Sequence, residues 1–169
     1  MKKAHMLVIA ILIAIGCNVI AIPASASGIG LDQFINEYNI YASMTGADVI
    51  SRADLNHRVG DSGEFWDILY DNQVRVIIAG GESAVKFGSC TCNNEAADGD
   101  FLSSCAAMAM AFSGHREISD ICSGLLFNYL MCKSGNGEDR VPTQLDDGAM
   151  FSISPSESLG YTFTFMPPQ

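Results

Sequence analysis

The sequence predicts an α+β fold: a small antiparallel sheet, built as a three-stranded meander plus a C-terminal hairpin, packed against about three helices. Two observations carry this reading. Hydrophobic periodicity is helical at first, turns to strict alternation after Ser62, returns to helical after Asp100 and alternates again from Ala149, so strands come in runs instead of one by one between helices. The alternating runs are also short and joined by turn residues. That suits antiparallel neighbours and leaves no room for the crossover that a parallel pair needs.

The elements follow in order. Leu31, Phe34, Ile35, Tyr38, Tyr41 and Ala42 recur at helical spacing, while Asp32, Gln33, Asn36, Glu37 and Asn39 fill the other face. This amphipathic helix begins near Gly30 and stops at Gly46, with Asp32 in the first turn at the positive end of the helix dipole. A polar connection runs to about Ser62. Trp66, Ile68 and Tyr70 then alternate with Asp67, Leu69 and Asp71, and Asp71-Asn72 forms a turn. Val74, Val76 and Ile78 make the second strand, which ends at Gly80-Gly81. In the third, Val85, Phe87, Ser89 and Thr91 alternate with Lys86, Gly88, Cys90 and Cys92. After a polar loop, Phe101, Cys105, Met108 and Phe112 line one face of a second helix, capped by Asp98 or Asp100 and ended by Gly114. A third helix runs from about Glu117 to Lys133, with Ile118, Cys122, Leu125, Tyr129 and Cys132 as its stripe and Gly135 just past its end. A polar loop to Asp147 precedes two strands, near Ala149 to Ser154 and Tyr161 to Met166. The simplest closure sets this hairpin on an edge of the meander and the helices on one face.

The N-terminus has the parts of a secretory signal. Lys2 and Lys3 are followed by an apolar run from Leu7 to Ile22, then by Pro23 and the small residues Ala24-Ser25-Ala26. Residues 1–26 are expected to be a signal peptide cleaved near Ala26, and residues 27–169 a single α+β domain, secreted or periplasmic. The run is long enough to cross a bilayer, but an anchor rarely ends in Pro and Ala-x-Ala. Ile15-Gly16-Cys17 resembles the end of a lipobox, which would leave the chain lipid-anchored at Cys17; Ala14 and the apolar continuation to Ile22 argue against it.

The 169-residue chain has a net charge of −10, and removing Lys2 and Lys3 leaves seven basic residues against nineteen acidic ones, a net of −12. Such a surface excludes nucleic acid and anionic membrane as partners and favours a cation or a basic protein. The expected partner is a protein, a peptide or a cell-envelope component, with no stable membrane insertion after cleavage.

Losing Cys17 leaves five cysteines: Cys90, Cys92, Cys105, Cys122 and Cys132. In an oxidising compartment these predict up to two disulfides and one remaining thiol. Cys122 and Cys132 cannot pair with each other, being about 15 Å apart along one helix. Zinc usually takes closely spaced Cys-x-x-Cys pairs, and Cys90-x-Cys92 followed by single cysteines does not fit. A thiol-redox role for Cys90 and Cys92 is an alternative, with Lys86 as the only nearby cation. Only His57 and His115 remain as bases, and no Gly-x-Ser-x-Gly elbow occurs. EF-hand registers placing Gly99 or Gly148 sixth fail at the twelfth position, and Gly80-Gly81 lacks the Lys-Ser/Thr of a phosphate loop. No catalytic residue, cofactor or metal site is therefore expected. Phe65 and Trp66 must face opposite sides of one strand, so Phe65, Trp66, Tyr70 and Arg75 are the candidates for a recognition patch. The expected function is that of an exported, non-catalytic binding protein. A thiol-dependent enzyme, or an inhibitor or immunity-type protein with an acidic surface, is the alternative.

Overall fold

The computed structural model of the chain describes residues 29–61, 63–93, 97–113, 118–134, 142–146, 148–156 and 160–167. The signal peptide, the Cys17 alternative, His115 and the end glycines Gly114 and Gly135 lie outside these residues. Within them the chain forms three helices and a seven-stranded, wholly antiparallel open sheet, so the fold is α+β. Helix α1 (Leu31–Thr45) and a 3-10 turn (Arg52–Asp54) precede four strands, β1 (Asn56–Gly60), β2 (Gly63–Leu69), β3 (Val74–Gly81) and β4 (Ala84–Cys92). Helices α2 (Asp98–Ser113) and α3 (Ile118–Lys133) follow, then β5 (Thr143–Gln144), β6 (Met150–Ser156) and β7 (Gly160–Met166). The strand order is β1-β2-β3-β4-β7-β6-β5.

The sheet is larger than a meander plus a hairpin. The added strands are β1, inside the connection read as polar, and the two-residue β5, inside the expected loop after Gly135. Every residue of β1 is exposed, so it has no buried face to impose an apolar alternation on its sequence. Its ladder to β2, from Asn56 opposite Asp67 to Gly60 opposite Gly63, holds it in place. His57 also stacks on Trp66, with ring centroids 3.9 Å apart and planes 11° from parallel. The final hairpin joins the β4 edge through β7, with Cys90 opposite Phe163.

A second difference concerns β4. Gly80 has φ 129, and a Cβ there would collide with the Ala84 carbonyl and the Lys86 backbone. Only glycine fits, and the register shifts between Ala79 and Gly80. The bulge resets the alternation. Val85 is buried in the core with Cys90 and Cys92, while Phe87, Ser89 and Thr91 point the other way, so Val85 and Phe87 do not share a side.

The inner face of the sheet carries Val76, Ile78, Phe163, Phe165, Phe151 and Ile153, all buried. Each fully buried side chain of this size adds about 1.5–3 kcal/mol of hydrophobic stabilisation. Helix α2 lies against β4, where Gly88 makes room for it: a Cβ there would stand 2.5 Å from Met108 Sδ and 2.8 Å from the Phe112 ring. Eleven of the sixteen residues of α2 are buried, because α1 and α3 flank it. Gly124 plays the same part on α3, facing Phe151 and Thr143. The start of α1 is tied to the β3–β4 turn: Leu31 N donates to Glu82 O at 2.9 Å, and Val85 N donates to Ile29 O at 2.8 Å.

Candidate functional site

The ends of four elements surround an open recess of about 670 Å3 at the C-terminal end of β2. This volume is in the range of small-ligand clefts. Gly46, in the left-handed conformation at φ 80, ends α1 and turns the chain toward the sheet. The next residues are pinned by Asn39, whose Nδ2 donates to Ile50 O at 2.8 Å and whose Oδ1 accepts from Ile50 N at 2.7 Å. This sets Asp48 and Val49 on one wall. Asp54 comes from the 3-10 turn, Asp71 and Asn72 from the β2–β3 turn, and Asp100 from the first turn of α2. Ile68, Leu69 and Tyr70 of β2 and its end supply the apolar part.

Local hydrogen bonds hold the turn. Asn72 Oδ1 accepts from Val74 N at 3.0 Å, and Asn72 Nδ2 donates to Asp48 Oδ2 at 3.1 Å. Gln73 takes a positive φ of 69 to close it. Tyr70 Oη donates to Val49 O at 3.1 Å, which locks the phenol across the recess.

The recess is strongly negative. Asp48, Asp54, Asp71 and Asp100 all line it. The ion pairs among the described residues lie elsewhere: Arg52 with Glu82 at 2.6 Å and Asp32 at 3.7 Å, His57 with Glu64, Arg58 and Arg75 with Asp67, and Lys133 with Asp98. None reaches the four carboxylates. Burial, then the charge of Asp48, then Cys90 and Asp54, hold the Tyr70 phenol well above its ordinary value. The lining offers carboxylates, amides and a phenol, and no thiol, imidazole or serine side chain among the described residues. Nor do three side chains of His, Cys, Asp or Glu converge on a metal position among them.

The residues singled out in the sequence are divided between three places. Tyr70 lies in the recess. Trp66 faces inward, 7 % exposed, with His57 on its ring and the Arg52 guanidinium 4.2 Å from its centroid. Phe65 and Arg75 lie on the opposite, outer face, where Arg75 and Arg58 share Asp67 at 3.8 and 3.1 Å. The four are not brought together.

The expected disulfides are not formed. All five cysteines carry thiols, four of them buried. Cys90 and Cys92 both point inward from β4, and Cys90 Sγ sits 4.0 Å from Met108 Sδ. Cys105 of α2 lies beside Cys90, yet its sulfur is not at the bonding distance of about 2.05 Å. Cys132 Sγ donates to Ile153 O at 3.1 Å and so packs α3 on β6. Burial, then the neighbouring Cys90, push the Cys105 thiol well above its ordinary value, and burial pushes Cys122 up to about 11. These thiols fill the space between helices and sheet as small apolar groups.

Asp48, Asp54 and Asp100 were not legible as a site, since they are far apart in sequence and match no motif. The one available signal is that each sits where an element begins or ends, as does Asp71. Comparison with protein-family models, with curated proteins and with solved structures finds no match to this chain.

Proposed function

We propose that the chain is an exported, non-catalytic binding protein and that the recess beside Tyr70 receives a cationic group of its partner, a basic protein or peptide. The observation that carries this reading is the gathering of four carboxylates from four elements, without an arginine or lysine against them among the described residues. Holding like charges together costs free energy that a bound ammonium or guanidinium returns. Ile68, Leu69 and Tyr70 add an apolar and aromatic wall for the stem of a lysine or arginine. The inhibitor or immunity-type reading is a special case, in which the basic partner is an enzyme. A thiol-redox role has less support. Cys90, Cys92 and Cys105 are buried, and the Cys105 thiol, held in its protonated form, is a poor nucleophile.

Calorimetric titration with tetra-arginine and tetra-glutamate tests the recess. Tetra-arginine is expected to bind, the double substitution Asp48→Asn with Asp71→Asn to weaken it at least tenfold, and added salt to weaken it steeply. Equal binding of both peptides, or an unaffected double variant, removes the proposal. Export is tested separately by the N-terminus of the protein recovered from its producing cell. Ser27 is expected, and a lipid on Cys17 would replace a soluble protein by a tethered one.

A further inference from the structure

The outer face of the sheet is not uniform. Residues opposite one another across the strands form rows. Ser89, Thr164 and Ser152 make one, and Thr91, Thr162 and Ser154 the next. Thr164, Ser152, Thr162 and Ser154 are partly exposed, as on the polar face of an antiparallel sheet, while Ser89 and Thr91 in the central strand are buried. The row at the other end departs from that pattern. Phe65, Ala79 and Phe87 stand opposite one another on β2, β3 and β4, and the paired Met166 and Met150 continue on β7 and β6. Ile77 lies one row in. Met166 is 41 % exposed and Phe65, Phe87 and Met150 are partly exposed, while the helices pack on the other face.

We infer that this face is a two-fold interface with a second copy of the chain. Its size fits. Six strands about 4.8 Å apart and about seven residues long cover roughly 700 Å2, close to the ~800 Å2 per partner of a stable interface. Its charge fits as well. Arg58, Arg75 and Asp67 lie on this face, and the two arginines share the one carboxylate. Those three groups sum to one net positive charge on a chain whose total is −10. Two copies meeting there bring apolar rows and hydroxyls together without setting acid against acid. The recess opens at the opposite end of β2 from Phe65, although Leu69, which lines it, lies on the same outer face. Among the described residues, other exposed large apolar side chains are Phe127, Leu130 and Met131 on α3, Ile40 and Met44 on α1, and Val49, Val59 and Leu69 singly.

Analytical ultracentrifugation of the isolated protein decides the matter. A mass twice that of the chain is expected at about 100 μM, where micromolar dimers are fully formed. Phe87→Glu is expected to weaken the dimer at least ~100-fold by burying a charge within the apolar row. Thr164→Arg, on the hydroxyl row, tests the same face by bulk and charge without touching the core, with circular dichroism confirming the fold. Phe127→Glu on α3 should leave the mass unchanged. A monomer at this concentration overturns the inference. So does a dimer that survives both Phe87→Glu and Thr164→Arg, or one that Phe127→Glu alone dissociates.

Discussion

The seam between α2 and β4 and the recess at the end of β2 both gather titratable groups, and they treat them in opposite ways. In the seam, Cys90, Cys92, Cys105 and Tyr38 are buried, with the Tyr38 phenol and the Cys105 thiol pushed well above their ordinary values by burial. Burial disfavours the charged form, so Tyr38 and Cys105 stay protonated, and all four side chains act as packing. In the recess, the four carboxylates lie at the open ends of elements and keep their contact with water. The difference teaches that grouping in sequence is a poor guide to chemistry here. The Cys-x-Cys pair is local and becomes core, whereas the aspartates are dispersed over more than fifty positions and become the candidate site.

Substitutions separate the two regions by size and by sign. The largest effect belongs to the wall of the seam. Phe163 is wholly buried opposite Cys90, and Phe163→Ala should cost about 3–5 kcal/mol in urea unfolding. A smaller loss would mean that the seam is loosely packed. Next, Gly88→Val forces a side chain against Met108 and Phe112 and should cost about 1–3 kcal/mol, with a lowered melting temperature as the readout. The pH response comes third. Cys122 has its pKa raised from 9.0 to about 11, so the folded state keeps this proton longer than the unfolded chain does. Its contribution is complete below pH 9, falls as pH rises from 9 to about 11, and is worth ~3 kcal/mol at most. Urea midpoints measured between pH 8 and 11 should decline, and Cys122→Val should remove part of that decline. The smallest effect has the opposite sign. Asp54→Asn with Asp71→Asn should raise stability by about 0.5 kcal/mol at low salt, a gain that disappears at high salt. Destabilisation by that pair would show that the carboxylates support the fold, and the contrast between seam and recess would fail.

The sequence made the helices and the five longer strands legible because each buries one face, and burial imposes a period. Leu31 to Ala42 on α1 and Val74 to Ile78 on β3 are read correctly for that reason. β1 exposes both faces, so Asn56 to Gly60 carries no such imprint. Nothing in composition announces the bulge at Gly80 either, because a glycine pair ending a strand looks the same whether the chain turns or bulges. The inward placement of Cys90 and Cys92 on one side of their strand was legible. Their failure to bond was not, since it depends on where α2 sets Cys105 and Met108. Of the recess, sequence reading reached only Tyr70 as a candidate: Asp48, Asp54 and Asp100 share no spacing with the run from Ile68 to Asn72, and only the tertiary fold puts them in one lining.

The place of β7 has a kinetic consequence. This strand lies between β4 and β6, so the two halves of the sheet have no ladder to each other until residues 160–166 exist. Partners such as Ser89 and Thr164 are separated by 75 positions, and α1 waits for α2 across a similar stretch. Contacts this remote close slowly and late. A nascent chain therefore cannot join the two halves of its sheet until residues 160–166 have left the ribosome, although β1 to β4 can pair before then.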